Sequence, residues 1–417
     1  EAIFYIERQH GPWNVQFEVE TTTRIGLDRL RTAVVAACNA HPLARARQHA
    51  AVGTDARCHW EIPDAIEELP PDTVTVTDGP TTAEQSAFYR DRFDHSDELP
   101  FRLLVDRGGG YGDGDRVLLC ANHVAVDGVG GTRFARSLSR AYRGADLDAE
   151  PVDLTTARAV IDDAGPPSPS ASLDLLGDAV TYLKRAVESP TRIASTGGVD
   201  TDGWLFERRR LGAELTDQLL QERPGWSSVN DAMLAALHRC IDGWNRDHGV
   251  PARRIGVMMP LNLRPSEWFY DVVGMFTAFD SISTRQRDRR DPRTTLRTVA
   301  DQTRRIKGGD RTTIPYEALK LLPSGTPVGL KEWVPELLNG PGSRFVDTAV
   351  LSNLGRIPDP LPGFAPDDDP NLWFSPPSFA LAPVGIGVAT VGDTVHLTGR
   401  YWCSEFDADA AAAFTDR

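Results

Sequence analysis

The chain has 417 residues, 41% of them hydrophobic, and its 45 basic and 59 acidic side chains leave a formal net charge of −14. One hydrophobic core rarely grows past about 250–300 residues, so two domains or subdomains are expected, and the negative charge argues against nucleic acid or an anionic membrane surface as a partner. No apolar run approaches the roughly 18 residues that a bilayer span needs. Cys38, Cys58, Cys120, Cys240 and Cys403 are scattered without a C-x-x-C pair, which excludes a zinc knuckle or a disulfide framework and fits a cytoplasmic location.

Residues 13–21, WNVQFEVET, alternate apolar and polar side chains and predict a half-buried strand, and the following LDRLRTAVVAACNAHPLARAR carries Leu27, Leu30, Val34 and Cys38 at helical spacing. Two short strand-like runs, RCHWEI and TVTVTD, precede a polar helix in TTAEQSAFYRDRF, whose threonines suit its start. PFRLLVDR and RVLLCANH flank GGGYGDGD and predict a hairpin with a long, mobile, glycine-rich tip. The tip's glycines fit neither G-x-G-x-x-G nor the Walker pattern, so phosphate binding is not expected there. Phe134, Leu138 and Tyr142, four apart in GTRFARSLSRAYRG, predict a helix after the next loop. AGPPSPSAS at 164–172 reads as a break, with LDLLGDAVTYLKRAVES as a connecting helix. Residues 1–163 and 201–417 are therefore expected to form the two halves, with 164–200 between them.

In the second half, WLFERRRL predicts a strand, and SSVNDAMLAALHRCIDGWN a helix capped by Ser228 and Asp231. Val229, Met233, Leu237 and Ile241 run along its core face, and His238 beside them reads as an ordinary, partly buried histidine. RIGVMMPLNLRP, VGMFTAFDSIST and FVDTAVLSNLGRI predict further strands, and GIGVATVGDTVHLTGRYW a hairpin turning at Gly392 and Asp393. Strands and helices mix in both halves, which gives an α/β or α+β class.

LLCANHVAVDGVGG, residues 118–131, carries the chemistry. About 0.1 matches to H-x-x-x-D-G are expected by chance in a chain of this composition, so position adds what the hexapeptide lacks. It follows a strand and precedes an amphipathic helix, where a rigid element presents side chains in a cleft. His123 is a candidate general base, since an imidazole with a pKa of about 6.5 is largely neutral at pH 7 and accepts a proton from an alcohol or amine. Histidine and aspartate four apart can also share a metal ion, but no third ligand lies nearby and H-E-x-x-H is absent. The G-x-S-x-G elbow of a serine hydrolase is absent too.

NHVAVDG resembles the H-H-x-x-x-D-G signature of the chloramphenicol acetyltransferase-like superfamily, with Asn122 in place of the first histidine. That superfamily includes nonribosomal peptide condensation domains, wax ester synthases, polyketide-associated acyltransferases and plant BAHD acyltransferases. NAHPLARAR, FDHSDELPFRLLV, SVNDAMLAAL, MPLNLRP and LSNLGRI resemble further segments of the family in the same order, so the resemblance spans nearly the full length. It implies two similar α/β subdomains with mixed sheets, arranged as a V around a central tunnel. It also implies an acyltransferase that moves an acyl group from a thioester, on coenzyme A or on carrier-protein phosphopantetheine, to a hydroxyl or amine.

Under that resemblance His123 inherits the role of base, and Asp127 a structural one, paired with an arginine for which Arg264 of PLNLRP is the best match. Gly128 would give the turn its backbone freedom. The backbone amides of Val129 and Gly130 and the side chains of Ser352 and Asn353 are the candidates for stabilising the tetrahedral oxyanion. No permanently bound cofactor is implied; the acyl donor, the acceptor and an acyl or peptidyl carrier protein are the expected partners. Two other readings stay open. One is a stand-alone condensation-type enzyme that forms amides on carrier proteins; the other is a member that binds a carrier or lipid without catalysis, toward which the missing first histidine points.

Overall fold

A computed structural model describes residues 4–5, 7, 11–49, 52–79, 82–162, 188–198, 203–308, 326–332, 344, 346–358, 363–365, 371–378 and 380–417. The Pro/Ser-rich break and most of the expected connecting helix lie outside them. The first half runs β1 (Asn14–Glu20), α1 (Leu27–Ala40), β2 (Arg47–Gln48), β3 (Trp60–Glu61), β4 (Val74–Thr77), α2 (Thr82–Arg90), β5 (Phe101–Asp106), β6 (Arg116–Asn122), α3 (Gly128–Tyr142) and α4 (Leu154–Asp162). The second runs β7 (Trp204–Arg210), α5 (Val229–Asp247), β8 (Arg254–Asn262), β9 (Thr277–Arg285), α6 (Pro292–Gly308), β10 (Ala349–Arg356), β11 (Trp373–Ser375), β12 (Val384–Val391), β13 (Thr394–Trp402) and α7 (Ala408–Thr415).

Two mixed sheets carry the fold, one in the order β11-β1-β6-β5-β4 and one in the order β7-β13-β12-β10-β8-β9, while β2 and β3 pair by themselves. The β4–β5, β10–β12 and β8–β10 pairs are parallel. This is an α/β class with mixed sheets, as the sequence predicts. The order adds a crossing between the halves: β11 joins the first sheet, with Phe374 opposite Phe17 of β1. The first sheet therefore draws on residues beyond 1–163. Three residues followed by Pro376 and Pro377 are too few to register as a strand by alternation.

The alternation of β1 decides where the first core lies. Val15, Phe17 and Val19 turn toward Leu30, Val34 and Ala37 of α1 and Phe134 and Leu138 of α3. Asn14, Gln16 and Glu18 turn to the opposite face and are buried as well, because the second sheet covers them. Arg208 of β7 pairs with Glu18 and Glu20 at 3.3 and 2.7 Å, and Arg400 of β13 donates to the Asn14 carbonyl at 3.0 Å. The strand is thus covered on both sides instead of half-buried, apolar on one and polar on the other.

In the second core, Met233, Leu237 and Ile241 of α5 pack with Ile255 and Val257 of β8 and Leu351 of β10. The helix opens on a capping box in which Ser228 and Asp231 exchange side chain and backbone hydrogen bonds. His238 is fully buried here. Its Nδ1 lies 2.9 Å from Thr284 Oγ1, and burial together with the Arg289 charge pushes its pKa down to about 3, so it is a neutral core residue. The glycine-rich tip between β5 and β6 is fastened rather than loose. Asp115 accepts from the Ile25 amide at 2.7 Å and the Gly108 amide at 3.2 Å and pairs with Arg107. No helix among the described residues is long and apolar enough to cross a membrane.

Candidate active site

β6 ends at Asn122, and His123 is still held by the ladder through its amide, which donates to the Trp13 carbonyl at 3.0 Å. The chain then turns tightly, with the Ala125 and Val126 amides both donating to the Asn122 carbonyl at 3.2 and 3.1 Å. That turn brings the Val126 carbonyl to 3.0 Å from His123 Nδ1. A carbonyl can only accept, so Nδ1 carries the proton in this contact and the lone pair is on Nε2. Nε2 makes no hydrogen bond among the described residues, and the residue keeps 9% of its surface accessible. Burial pushes the imidazole below its ordinary pKa, and the Asp127 charge and the Val126 carbonyl offset only part of that shift.

Asp127 begins α3 as its N-cap, with Oδ1 accepting from the Gly130 amide at 2.8 Å. Its other oxygen, Oδ2, accepts from Arg264 Nη1 at 2.7 Å, the Phe276 amide at 2.8 Å and Thr277 Oγ1 at 3.1 Å. Both side chains of the Asp127–Arg264 pair are 0% exposed. Burial alone would raise the Asp127 pKa, but the charge and hydrogen bond of Arg264, helped by the two amides, hold it below the ordinary carboxylate value. Arg264 in turn donates through Nη2 to the Val272 and Gly274 carbonyls at 3.2 and 2.9 Å and stacks over Phe276 at 4.5 Å. The aspartate is wholly occupied by this junction, with both oxygens accepting from it.

The glycines of the motif serve close approach. Gly128 has no positive φ, contrary to the expected need for backbone freedom; a Cβ there would lie 2.8 Å from Leu354 Cδ2 and 3.0 Å from the Phe374 ring. A Cβ on Gly130 would lie 2.8 Å from both N and O of Gly274, which are backbone atoms and cannot rotate aside. We expect Gly130→Ala to cost about 1–3 kcal/mol of stability, read as a lower urea midpoint; an unchanged midpoint would mean that the two segments separate freely.

The oxyanion candidates fare differently. The Gly130 amide is spent on Asp127, which removes it from the set of free donors. The Val129 amide, one residue earlier, makes no hydrogen bond among the described residues. Asn353 uses its Oδ1 on the Gly355 amide at 2.8 Å. Ser352 is buried in β10, two residues before the Leu354 that faces Gly128.

Several supports lie outside the candidate set. Asn122 donates to both oxygens of buried Glu7 at 3.2 Å and accepts from the Val124 amide at 2.9 Å, so it braces the turn. His41, from NAHPLARAR, sits between Ser137 Oγ at 2.8 Å and Glu150 Oε1 at 2.9 Å, and the same Glu150 oxygen accepts from the Val273 amide at 2.9 Å. This is a second tie from the first half to the segment that receives Asp127. A cavity of about 420 Å³ lies elsewhere, between Arg47, Pro70, Phe93 and Arg102.

No family model matches the sequence. The chain is 33% identical over 395 residues to the uncharacterized proteins Rv2305 and MT2362 of two Mycobacterium tuberculosis strains, covering 93% of this chain and 89% of each relative. It is 25% identical over 246 residues to part of the linear gramicidin synthase of Brevibacillus parabrevis, covering 56% of this chain and 5% of the synthase polypeptide. Among solved structures it is similar to the first condensation domain of the CDA synthetase, with a TM-score of 0.72 at 13% identity, covering 100% of this chain and 92% of that one. The starter condensation domain of rhizomide synthetase, solved with C8-CoA and Leu-SNAC, gives a TM-score of 0.65 at 12% identity, covering 100% and 90%.

Proposed function

We propose that this chain, a relative of the Rv2305 and MT2362 proteins with the fold of condensation domains, is a chloramphenicol acetyltransferase-like enzyme that transfers an acyl group from a coenzyme A or carrier-protein thioester to a hydroxyl or amine. The observation that carries this reading is the tautomer of His123, whose Nδ1–H is committed to the Val126 carbonyl and whose Nε2 lone pair is left to accept a proton. In the reaction Nε2 takes the proton of the acceptor O–H or N–H as the heteroatom attacks the thioester carbonyl carbon. The tetrahedral oxyanion collapses, the C–S bond breaks, and the departing sulfur takes the proton back from Nε2–H. The imidazole ends as it began, and no acyl-enzyme or resident cofactor enters the balance.

A neutral base suits this cycle, because an imidazole that burial keeps unprotonated is ready at neutral pH. Asp127, fixed by Arg264, holds the loop that orients the ring. A second reading, amide formation between substrates on separate carrier proteins, is favoured by the likeness to condensation domains and to gramicidin synthase. We place either reaction in the cytoplasm. The test mixes purified full chain with acyl-coenzyme A of several lengths, or with acylated carrier protein, and a panel of alcohols and amines. Thiol release with an acylated product by mass spectrometry is expected. Donor binding without turnover on every pair would instead identify a non-catalytic carrier or lipid binder.

A further inference from the structure

Arg400 lies on β13, between the two sheets, and its side chain is entirely buried. A buried guanidinium normally has a carboxylate beside it, because the cost of removing the charge from water is several kcal/mol; Arg264 and Arg289 follow that pattern. Arg400 does not. Among the described residues its one hydrogen bond runs from Nη1 to the Asn14 carbonyl, and its plane rests 3.9 Å above the Trp204 ring. Nε and Nη2 have no partner. The titratable groups within electrostatic reach are Cys120 and Tyr89, both neutral at ordinary pH because burial raises them, and burial lowers Arg400 itself to about 9, still a cation at pH 7.

The two unpartnered atoms are not a random pair. Nε–H and one Nη2–H point in parallel from the same edge of the guanidinium, the fork that matches the two oxygens of a carboxylate. The stack on Trp204 and the bond to Asn14 fix the plane and leave that edge without an acceptor among the described residues. Around it the interface between the sheets holds other buried groups without partners: both ends of the Gln16 amide, Asn14 Oδ1 and Thr398 Oγ1. Gln16 opposes Cys120 on β6, and Thr398 precedes Arg400 by two residues on the same face of β13. A closed protein interface pairs nearly all such groups.

We propose that Arg400, together with Gln16 two residues along β1 from the Asn14 it contacts, is the receptor for a carboxylate carried by one of the two substrates. The proposal uses the acyl-transfer reading only in calling the ligand a substrate. One positive charge matches one carboxylate, whereas a phosphate dianion would leave surplus negative charge near Glu18, which Arg116 and Arg208 already neutralise. The site lies one residue along β1 from the His123 anchor, since Trp13 O takes the His123 amide and Asn14 O takes Arg400.

Titration calorimetry of the full chain with hexanoate, hexanamide and inorganic phosphate tests this without turnover. Wild type is expected to bind hexanoate at least ten-fold more tightly than either of the others. Arg400→Gln is expected to lose that preference while melting at an equal or higher temperature, because it removes a buried charge that lacks a counter-ion. Arg400→Lys, which keeps the charge and loses the fork, is expected to bind hexanoate more weakly than wild type and serves if the glutamine variant does not fold. His123→Ala is expected to keep the preference. Equal hexanoate affinity in wild type and Arg400→Gln, equal binding of hexanoate and hexanamide, tighter phosphate, or no binding would overturn the proposal. If the preference stands while no donor and acceptor pair turns over, it is the acyl-transfer reading that has failed.

Discussion

His123→Ala is expected to lower kcat/KM for acyl transfer by about 10² to 10⁴, the share that a positioned general base supplies, with donor affinity unchanged. Two features of the geometry make the loss specific to this ring. The Val126 carbonyl fixes the proton on Nδ1, and Asp127, four hydrogen bonds deep in its own junction, has no capacity to substitute as a base. The pH profile separates this from a structural effect. Burial holds the His123 pKa below its ordinary value, and in the proposed reaction the neutral ring is the active form. Rate should therefore stay level from neutral pH downward and fall only as pH drops through a value below about 6.5, with that acid limb absent in His123→Ala. Full activity in the variant would remove the imidazole from the mechanism.

Asp127→Ala carries the second large effect. Removing it leaves the Arg264 guanidinium, with 0% exposure, as a charge without a counter-ion, and strips the Phe276 amide and the α3 N-terminus of their acceptor. The expected cost is about 3–5 kcal/mol, a large part of the roughly 5–15 kcal/mol that holds a typical domain. A lowered urea midpoint and aggregation on expression are the readouts. Replacing both partners, with Asp127→Ala and Arg264→Met together, should destabilise less than the two single changes added, because no lone charge remains. Strict additivity would show that the pair is not coupled. The sign with pH follows from the depressed carboxylate pKa: the contribution is complete above the unfolded value of about 3.9 and is lost as pH falls through the lower folded value.

The sequence made some of this legible and hid the rest for physical reasons. β1, α1, α3 and α5 each carry one apolar face, and alternation or helical spacing finds them. α6 is harder to read because its apolar stripe is thin, Leu296, Val299 and Ile306 against the second core, and it also buries the polar Thr295, Gln302 and Thr303. Much of its packing is polar, as with Thr303 Oγ1 on Asp231 at 2.6 Å and the Gln302 amide on the Ser283 backbone. At the site, the spacing of NHVAVDG puts His123 at a strand end and Asp127 at a helix start, since those are local matters. Beside the Arg264 and Thr277 side chains, the receiving half is made of the Gly274 carbonyl and the Phe276 amide, and backbone atoms leave no mark in a sequence. Glu7 and Glu150, two acidic residues among 59, have nothing in their neighbours to announce that they brace Asn122 and His41.

β11 gives the molecule a property that neither half has alone. These three residues close the open side of β1 and set Phe374 against Phe17. A first half cut free of them would expose a row of hydrogen-bonding groups that invites other chains to add on, and would lack an aromatic ring from its interior. Evolution and protein engineers alike must then treat the two lobes as one inheritance, since exchanging the second for a foreign counterpart would also exchange the selvedge of the first.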